Sequence, residues 1–389
     1  MRLRSTKNPA MSNRIISVVG GLNMDMIFET ERMPESGESM DGTSLANCPG
    51  GKGANTAIAA FRASHKKPSS ESSSGRSDEQ GRLLIHDDEE GVIHVYMNGA
   101  VGSDEFGVEL KTRLELDGVD TSGVQTIEGE NSGTCVVIVE SDIGESRNLA
   151  YQGANLRWAP RDQDTIECLA GGKKPDLVIT HLGIRREQVE RVLGTATQYG
   201  IDTVLNPSPA VYLTSSTFRN VTHLLMNETE AAMLSGRTNA EYTSLPDWEA
   251  AAKIYIEYGV KYVVLTLGAK GAYYTTYKGE KGLVPAEKDV KVIDTTGAGL
   301  VIFFLTFSTL QALQYRTCSN LRLQNSTTNT FNDYRDTFVG TYAVEYVRQK
   351  LQGRWDISEA IARACRASAR TIERLGAQES IPWSDEIDP

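Results

Sequence analysis

The sequence predicts an α/β fold: an open, mostly parallel sheet flanked by helices, with a few short strands leaving it. Three observations predict it. Short apolar runs rich in branched residues recur along the chain, at 15–19, 177–180, 203–205 and 262–266, as in strands buried on both faces of a parallel sheet. Helix-length stretches, such as 57–63 and 187–199, separate them and give a βαβ rhythm. Glycine-rich turns, Gly50-Gly51-Lys52-Gly53 and Gly297-Ala298-Gly299, are placed to feed straight into helices.

At 389 residues the chain is long enough for one such domain with elaborations. The net charge of -11 and pI of 5.1 exclude a nucleic-acid surface, which needs a basic stripe. The five cysteines, Cys48, Cys135, Cys168, Cys318 and Cys365, are odd in number, scattered and without metal-ligand spacing, so neither a disulfide scaffold nor a zinc site is expected. A cytoplasmic location fits this, with the nucleus as a second expected compartment.

In chain order, residues 1–14 carry Arg2, Arg4, Lys7 and Arg14 without an apolar signal core and are expected to be a disordered extension. Ile15-Ile16-Ser17-Val18-Val19 followed by Gly20-Gly21 predicts the first strand. Ligands bind beyond the carboxyl ends of such strands, which places Asn23 and Asp25 to hydrogen-bond a hydroxylated ligand, although both residues also suit a plain turn. Alternating pieces at 26–48 and 131–151 predict short strands that leave the main sheet. Residues 64–91, rich in Ser, Lys, Asp and Glu, predict a low-complexity surface loop, after which 92–101 resumes as a strand and a helix starts near Gly102.

His181-Leu182-Gly183 ends the 177–180 strand. Asn227-Glu228-Thr229-Glu230 puts an Asn and a Glu on one face of an opening helical turn, a capping box by spacing alone. Thr266 through Gly271 form a glycine-rich hairpin turn that lets backbone approach a ligand closely, and Lys270 is read there as solvated.

One stretch looks cut in two. Asp294-Thr295-Thr296-Gly297-Ala298-Gly299 and Asp336-Thr337-Phe338-Val339-Gly340 would, if joined, form a small-residue turn entering a helix, whose unpaired N–H groups and dipole make an anion cradle. Asp336 at the start of that helix is the candidate general base. The intervening 300–335 begins with a strongly apolar piece, too short to span a membrane, and turns polar. Its abruptness predicts an unspliced intron or gene-model error, with an authentic regulatory insertion as the alternative.

Together, Asn23-Met24-Asp25, Gly50-Gly51-Lys52-Gly53-Ala54-Asn55 and the divided Asp294–Gly299/Asp336 signature resemble the ribokinase family of sugar and nucleoside kinases, over about 15–383. The resemblance implies a ribokinase-like α/β domain over 15–389, its strands at 26–48 and 131–151 forming a small β lid, that transfers the γ-phosphoryl group of ATP to the 5-hydroxyl of D-ribose, with Asp336 as base. It assigns the sugar to Asn23, Asp25, Gly51, Lys52, Asn55 and Asp336. ATP falls to Asn227, Thr266, Leu267, Gly268, Ala269, Lys270, Gly271, Gly297, Ala298 and Gly299. Glu230 would order the waters of Mg²⁺, and Asp294, Thr296, Thr371, Arg374, Gly376 and Ser380 would hold a monovalent cation, K⁺. Where the family presents a glutamate to the sugar this chain has Gly183, with His181 as a replacement polar group or a structural histidine. The implied partners are ribose and ATP, with no nucleic acid and no membrane, and a homodimer is open. The alternatives are a kinase of another sugar or a nucleoside, or a catalytically dead sugar-binding protein if 300–335 is authentic.

Overall fold

The computed structural model describes residues 13–68, 92–140, 146–162, 165–235, 244–291 and 333–389. Most of the low-complexity loop, residues 300–332 of the interrupting segment and Asp294 to Gly299 lie outside these residues.

Among the described residues one sheet has nine strands in the order β13-β12-β11-β10-β9-β8-β1-β4-β5. Within it β1 (Arg14–Val19) pairs in parallel with β4 (Ile93–Gly102) on one side and β8 (Leu177–His181) on the other. β5 (Asp120–Ile127) continues from β4, and β9 (Asp202–Asn206), β10 (His223–Asn227) and β11 (Tyr262–Thr266) continue from β8, all parallel. The antiparallel strands β12 (Ala272–Thr276) and β13 (Lys281–Val284) finish that edge. The chain first builds outward from β1 to β4 and β5, then returns to build from β8. The strand order therefore reverses at β1 and β8, where open α/β sheets form their ligand crevice.

The lid is a second sheet, β3-β2-β6-β7: β2 (Asn23–Thr30), β3 (Ser44–Gly50), β6 (Gly133–Glu140) and β7 (Ser146–Tyr151). The alternation read in 131–151 is real, since β6 buries every second residue from Gly133 to Val139.

Helix α1 (Lys52–Ser64) is buried on every side from Gly53 to Ala63, as a small-residue helix must be when it is sandwiched between the sheet and other helices. α2 (Glu105–Leu116) starts at Asp104, whose side chain accepts from the Gly107 N–H. α3 (Arg186–Gln198), the short α4 (Ser215–Phe218), α5 (Glu228–Ser235) and α6 (Leu245–Glu257) follow between strands. The C-terminal part is α7 (Asp333–Leu351), α8 (Ile357–Ile372) and the single-turn α9 (Ser384–Ile387). Ile16, Val18, Ile179 and Leu225 face a core built with α1, α7 and α8, while Val19, Val178 and Leu224 face α3 and α6 on the other side of the sheet.

Two corrections concern the divided stretch. Asp336 was expected to open its helix, but α7 begins at Asp333 and Asp336 lies one turn in. The last residues assigned to the interruption, 333–335, are thus helical, and Arg335 is buried.

Candidate active site

The residues that the resemblance assigns to the sugar converge at the strand-order reversal. After Gly20-Gly21 the chain enters β2 at Asn23, opposite Gly50 of β3, so one antiparallel pair brings the first and second motifs together. Gly51 then turns into α1 with φ of 94°, a backbone that residues with a Cβ rarely adopt. At Gly50 a Cβ would sit 2.4 Å from Asp25 Oδ2, so the glycine makes room for that carboxylate.

Asn23 is oriented by Asn155, a fully buried residue that sequence reasoning missed. The Asn155 Nδ2 donates to Asn23 Oδ1 at 2.9 Å and to the Leu22 carbonyl at 3.0 Å, while its Oδ1 accepts from the Leu22 N–H at 3.0 Å. Asn155 stands in a 3₁₀ turn with no motif around it, so nothing local marked it.

Asn55 meets Asp336 across 281 residues of sequence: Asn55 Nδ2 donates to Asp336 Oδ2 at 3.3 Å, and both residues are fully buried. The Asn55 amide is held in that sense by a second missed residue, Gln378, whose Nε2 donates to Asn55 Oδ1 at 3.1 Å. The loop carrying Gln378 is clamped by Arg62 of α1, which donates to the carbonyls of Gln378 at 2.7 Å and Ile381 at 2.9 Å and pairs with Asp117 at 2.7 Å. A chain of contacts therefore runs from the last turn of α1 through the C-terminal loop back to the candidate base.

Burial pushes the Asp336 carboxyl up to about 6; the Lys52 ammonium, the Arg335 guanidinium and the Asn55 hydrogen bond oppose this, and Glu230 adds to it. Burial likewise lifts Asp25 to about 7, against the pull of Lys52 and with a smaller push from Asp336. Lys52 thus acts electrostatically on both carboxyls. Asp336 Oδ1 is buried and has no hydrogen-bond partner, a vacancy for a donor such as a hydroxyl.

The described residues that the resemblance assigns to ATP cluster at the ends of β10 and β11. Asn227 and Glu230 form the capping box their spacing foretold: Asn227 Oδ1 accepts from the Glu230 N–H at 2.7 Å, and Glu230 Oε2 accepts from the Asn227 N–H at 3.0 Å. The other oxygen, Oε1, accepts from Arg335 Nη1 at 2.7 Å, in a pair with side chains 6% and 9% exposed. With that guanidinium in place the Glu230 charge is already balanced. A hydrated Mg²⁺ would meet a neutral pair, and this arrangement does not fit the ion.

Thr266 ends β11, and Leu267 to Gly271 follow as a turn in which the Leu267 N–H donates to the Gly271 carbonyl at 2.8 Å. Gly268 lies at φ 56° and Gly271 at φ 91°. Lys270, read as solvated, is exposed, and it stands 3.6 Å from Glu228 with its ammonium 5.1 Å from the centre of the Trp248 ring. Gly297, Ala298 and Gly299, assigned to ATP, and Asp294 and Thr296, assigned to the cation, lie outside the described residues.

Four further residues assigned to the cation surround the C-terminal loop. Thr371 Oγ1 donates to Thr337 Oγ1 at 3.2 Å, which ties the end of α8 to the residue after Asp336. Arg374 pairs with Glu386 at 2.9 Å, Gly376 has φ of 93°, and Ser380 Oγ donates to the Ala377 carbonyl at 2.8 Å.

Residues 13–299 match the family described as pfkB family carbohydrate kinase. The chain belongs to the pfkB family of carbohydrate kinases. It is 32% identical over 381 residues to a ribokinase of Schizosaccharomyces pombe, with 96% of each chain covered, and 27% identical to a ribokinase of Bacillus subtilis, covering 96% of this chain and 98% of the other. Among solved structures, Arabidopsis thaliana ribokinase complexed with ribose and ATP shares the fold at a TM-score of 0.72 and 21% identity, covering 97% of this chain and 98% of that one. Giardia lamblia ribokinase does so at a TM-score of 0.71 and 22% identity, with the same coverage. The match of this carbohydrate kinase to the family ends at Gly299, the last residue before the 300–335 segment.

Proposed function

We propose that this pfkB carbohydrate kinase phosphorylates D-ribose at its 5-hydroxyl with ATP, giving ribose 5-phosphate, and that Asp336 is the general base. The observation that carries the assignment is the buried Asp336 carboxylate with one oxygen held by Asn55 and the other unpartnered, beside Lys52 and Asp25 at the strand-order reversal. A carboxyl lifted to about 6 is ionised at neutral pH yet basic enough to take a proton from a hydroxyl as the oxygen attacks phosphorus.

Asn23, Asp25, Gly51, Lys52 and Asn55 position the sugar, with Asp25 and Asn23 on the first strand of the lid. The lid strands exclude water from the transfer. Asn227, Thr266 to Gly271 and the Gly297–Gly299 amides bind ATP. Mg²⁺ accompanies ATP as its counter-charge, while Glu230, paired with Arg335, does not serve that ion in this arrangement. Asp294, Thr296, Thr371, Arg374, Gly376 and Ser380 form a K⁺ site next to the anion cradle. The ribokinases of Schizosaccharomyces pombe and Bacillus subtilis, aligned over nearly the whole chain, support ribose over another sugar or a nucleoside.

The test is competitive turnover of ribose, fructose and adenosine by the chain with 300–335 removed, in K⁺ and in a bulky organic cation at equal ionic strength. Ribose should turn over fastest, and faster in K⁺. A preference for adenosine would overturn the substrate, and equal rates in both cations would leave the C-terminal loop without a cation.

A further inference from the structure

His181 ends β8 beside the crevice, fully buried, and the proposed mechanism does not use it. Its environment settles its tautomer. Asn206, its register partner on β9, donates its Nδ2 to the Leu225 carbonyl at 2.8 Å, so Asn206 Oδ1 is the atom that faces His181 Nδ1 at 3.2 Å. An amide oxygen only accepts, so His181 Nδ1 carries the proton and Nε2 presents a bare lone pair. That nitrogen is buried and has no hydrogen-bond partner.

The side chain lies on the ligand side of the sheet. Ile179, two residues earlier and on the same face, packs in the core shared with α1 and α7, the helices that carry Lys52, Asn55 and Asp336. The His181 Cβ lies 3.3 Å from where a Cβ on Gly20 would be, at the glycine turn into the site. Burial first, and the nearby Lys52 charge second, push the imidazole down to about 3, which keeps it neutral. Gly183, two residues on, offers no side chain of its own at this strand end.

We infer that His181 Nε2 is a sugar-contact atom, an acceptor for one hydroxyl of the bound sugar. The inference deepens the ribose reading and rests on it. An unpartnered acceptor in a dry site favours a ligand that brings a donor and disfavours an analogue that lacks it. One hydroxyl of ribose therefore depends on this nitrogen and the others do not.

The test uses the full chain without nucleotide and measures binding of ribose and of its mono-deoxy analogues by calorimetry. His181→Leu should weaken ribose roughly 5- to 100-fold, while one mono-deoxy analogue binds the variant and the parent alike. His181→Gln, which restores an acceptor oxygen, should recover part of the loss. Equal weakening of every analogue, or unchanged ribose binding, would overturn the inference. A second measurement needs no folded variant: in ¹⁵N-histidine-labelled parent protein, one Nε2 signal of pyridine type should shift on ribose addition, and its failure to move in a protein that binds ribose would also overturn it. A parent chain that binds no ribose would instead remove the ribose reading, and the inference with it.

Discussion

Asp336 and Asp25 are both carboxyls that burial holds above the ordinary 3.8, at about 6 and about 7. A raised carboxyl favours the folded state while protonated, so its contribution is present below about pH 4 and is lost as pH rises through 6 to 7. At neutral pH the unliganded protein therefore carries charge that it would be more stable without. Asp336→Asn should accordingly melt at nearly the parent temperature at pH 4 and above it at pH 8, by the equivalent of roughly 2–3 kcal/mol. A difference that does not change with pH would mean that the carboxyl is not the buried charge described. Of the residues in this cluster, Asn23, Asp25, Lys52 and Asn55 were legible because motifs place them. Asn155 and Gln378, which fix the amides of Asn23 and Asn55, were not, since each acts through one hydrogen bond spanning well over a hundred residues.

At the scale of elements, the strands and the lid followed from periodicity, because a buried parallel strand and a half-buried lid strand leave different patterns. The start of α7 did not follow. A helix beginning at Asp333 brings Arg335 against Glu230, and no local pattern announces an ion pair between residues 105 apart. Removing one member of such a buried pair strands the other charge, so Arg335→Gln or Glu230→Gln alone should each cost about 3–5 kcal/mol. The double variant should regain most of that, and denaturant unfolding of all four forms measures the coupling. Additive losses would show that the two side chains do not pair. The same contact accounts for the poor fit of Glu230 to a divalent ion, since the guanidinium already occupies the side a cation would approach.

For the whole molecule, the residues proposed to hold the sugar come together around Asn55 and Asp336, whereas Arg335 stands where the sequence pattern calls for a glycine lead-in to Asp336. This unevenness follows from where 300–335 falls in the chain. The sheet, the lid and α1 precede it, and α7 and α8 follow it, so both flanks can reach the core independently of the segment between them. Removing 300–335 restores the direct step from Gly299 to Asp336, so the proposed anion cradle at Gly297–Gly299 should then lead straight into the Asp336 helix. The central claim is that Asp336, placed by Asn55, is the base of a ribose kinase. The most direct measurement is turnover and ribose binding in the chain lacking 300–335, with and without Asp336→Asn. The shortened chain should phosphorylate ribose, and Asp336→Asn in it should lose at least the ~10²-fold that a general base supplies while ribose still binds. Turnover unchanged by that substitution would contradict the account.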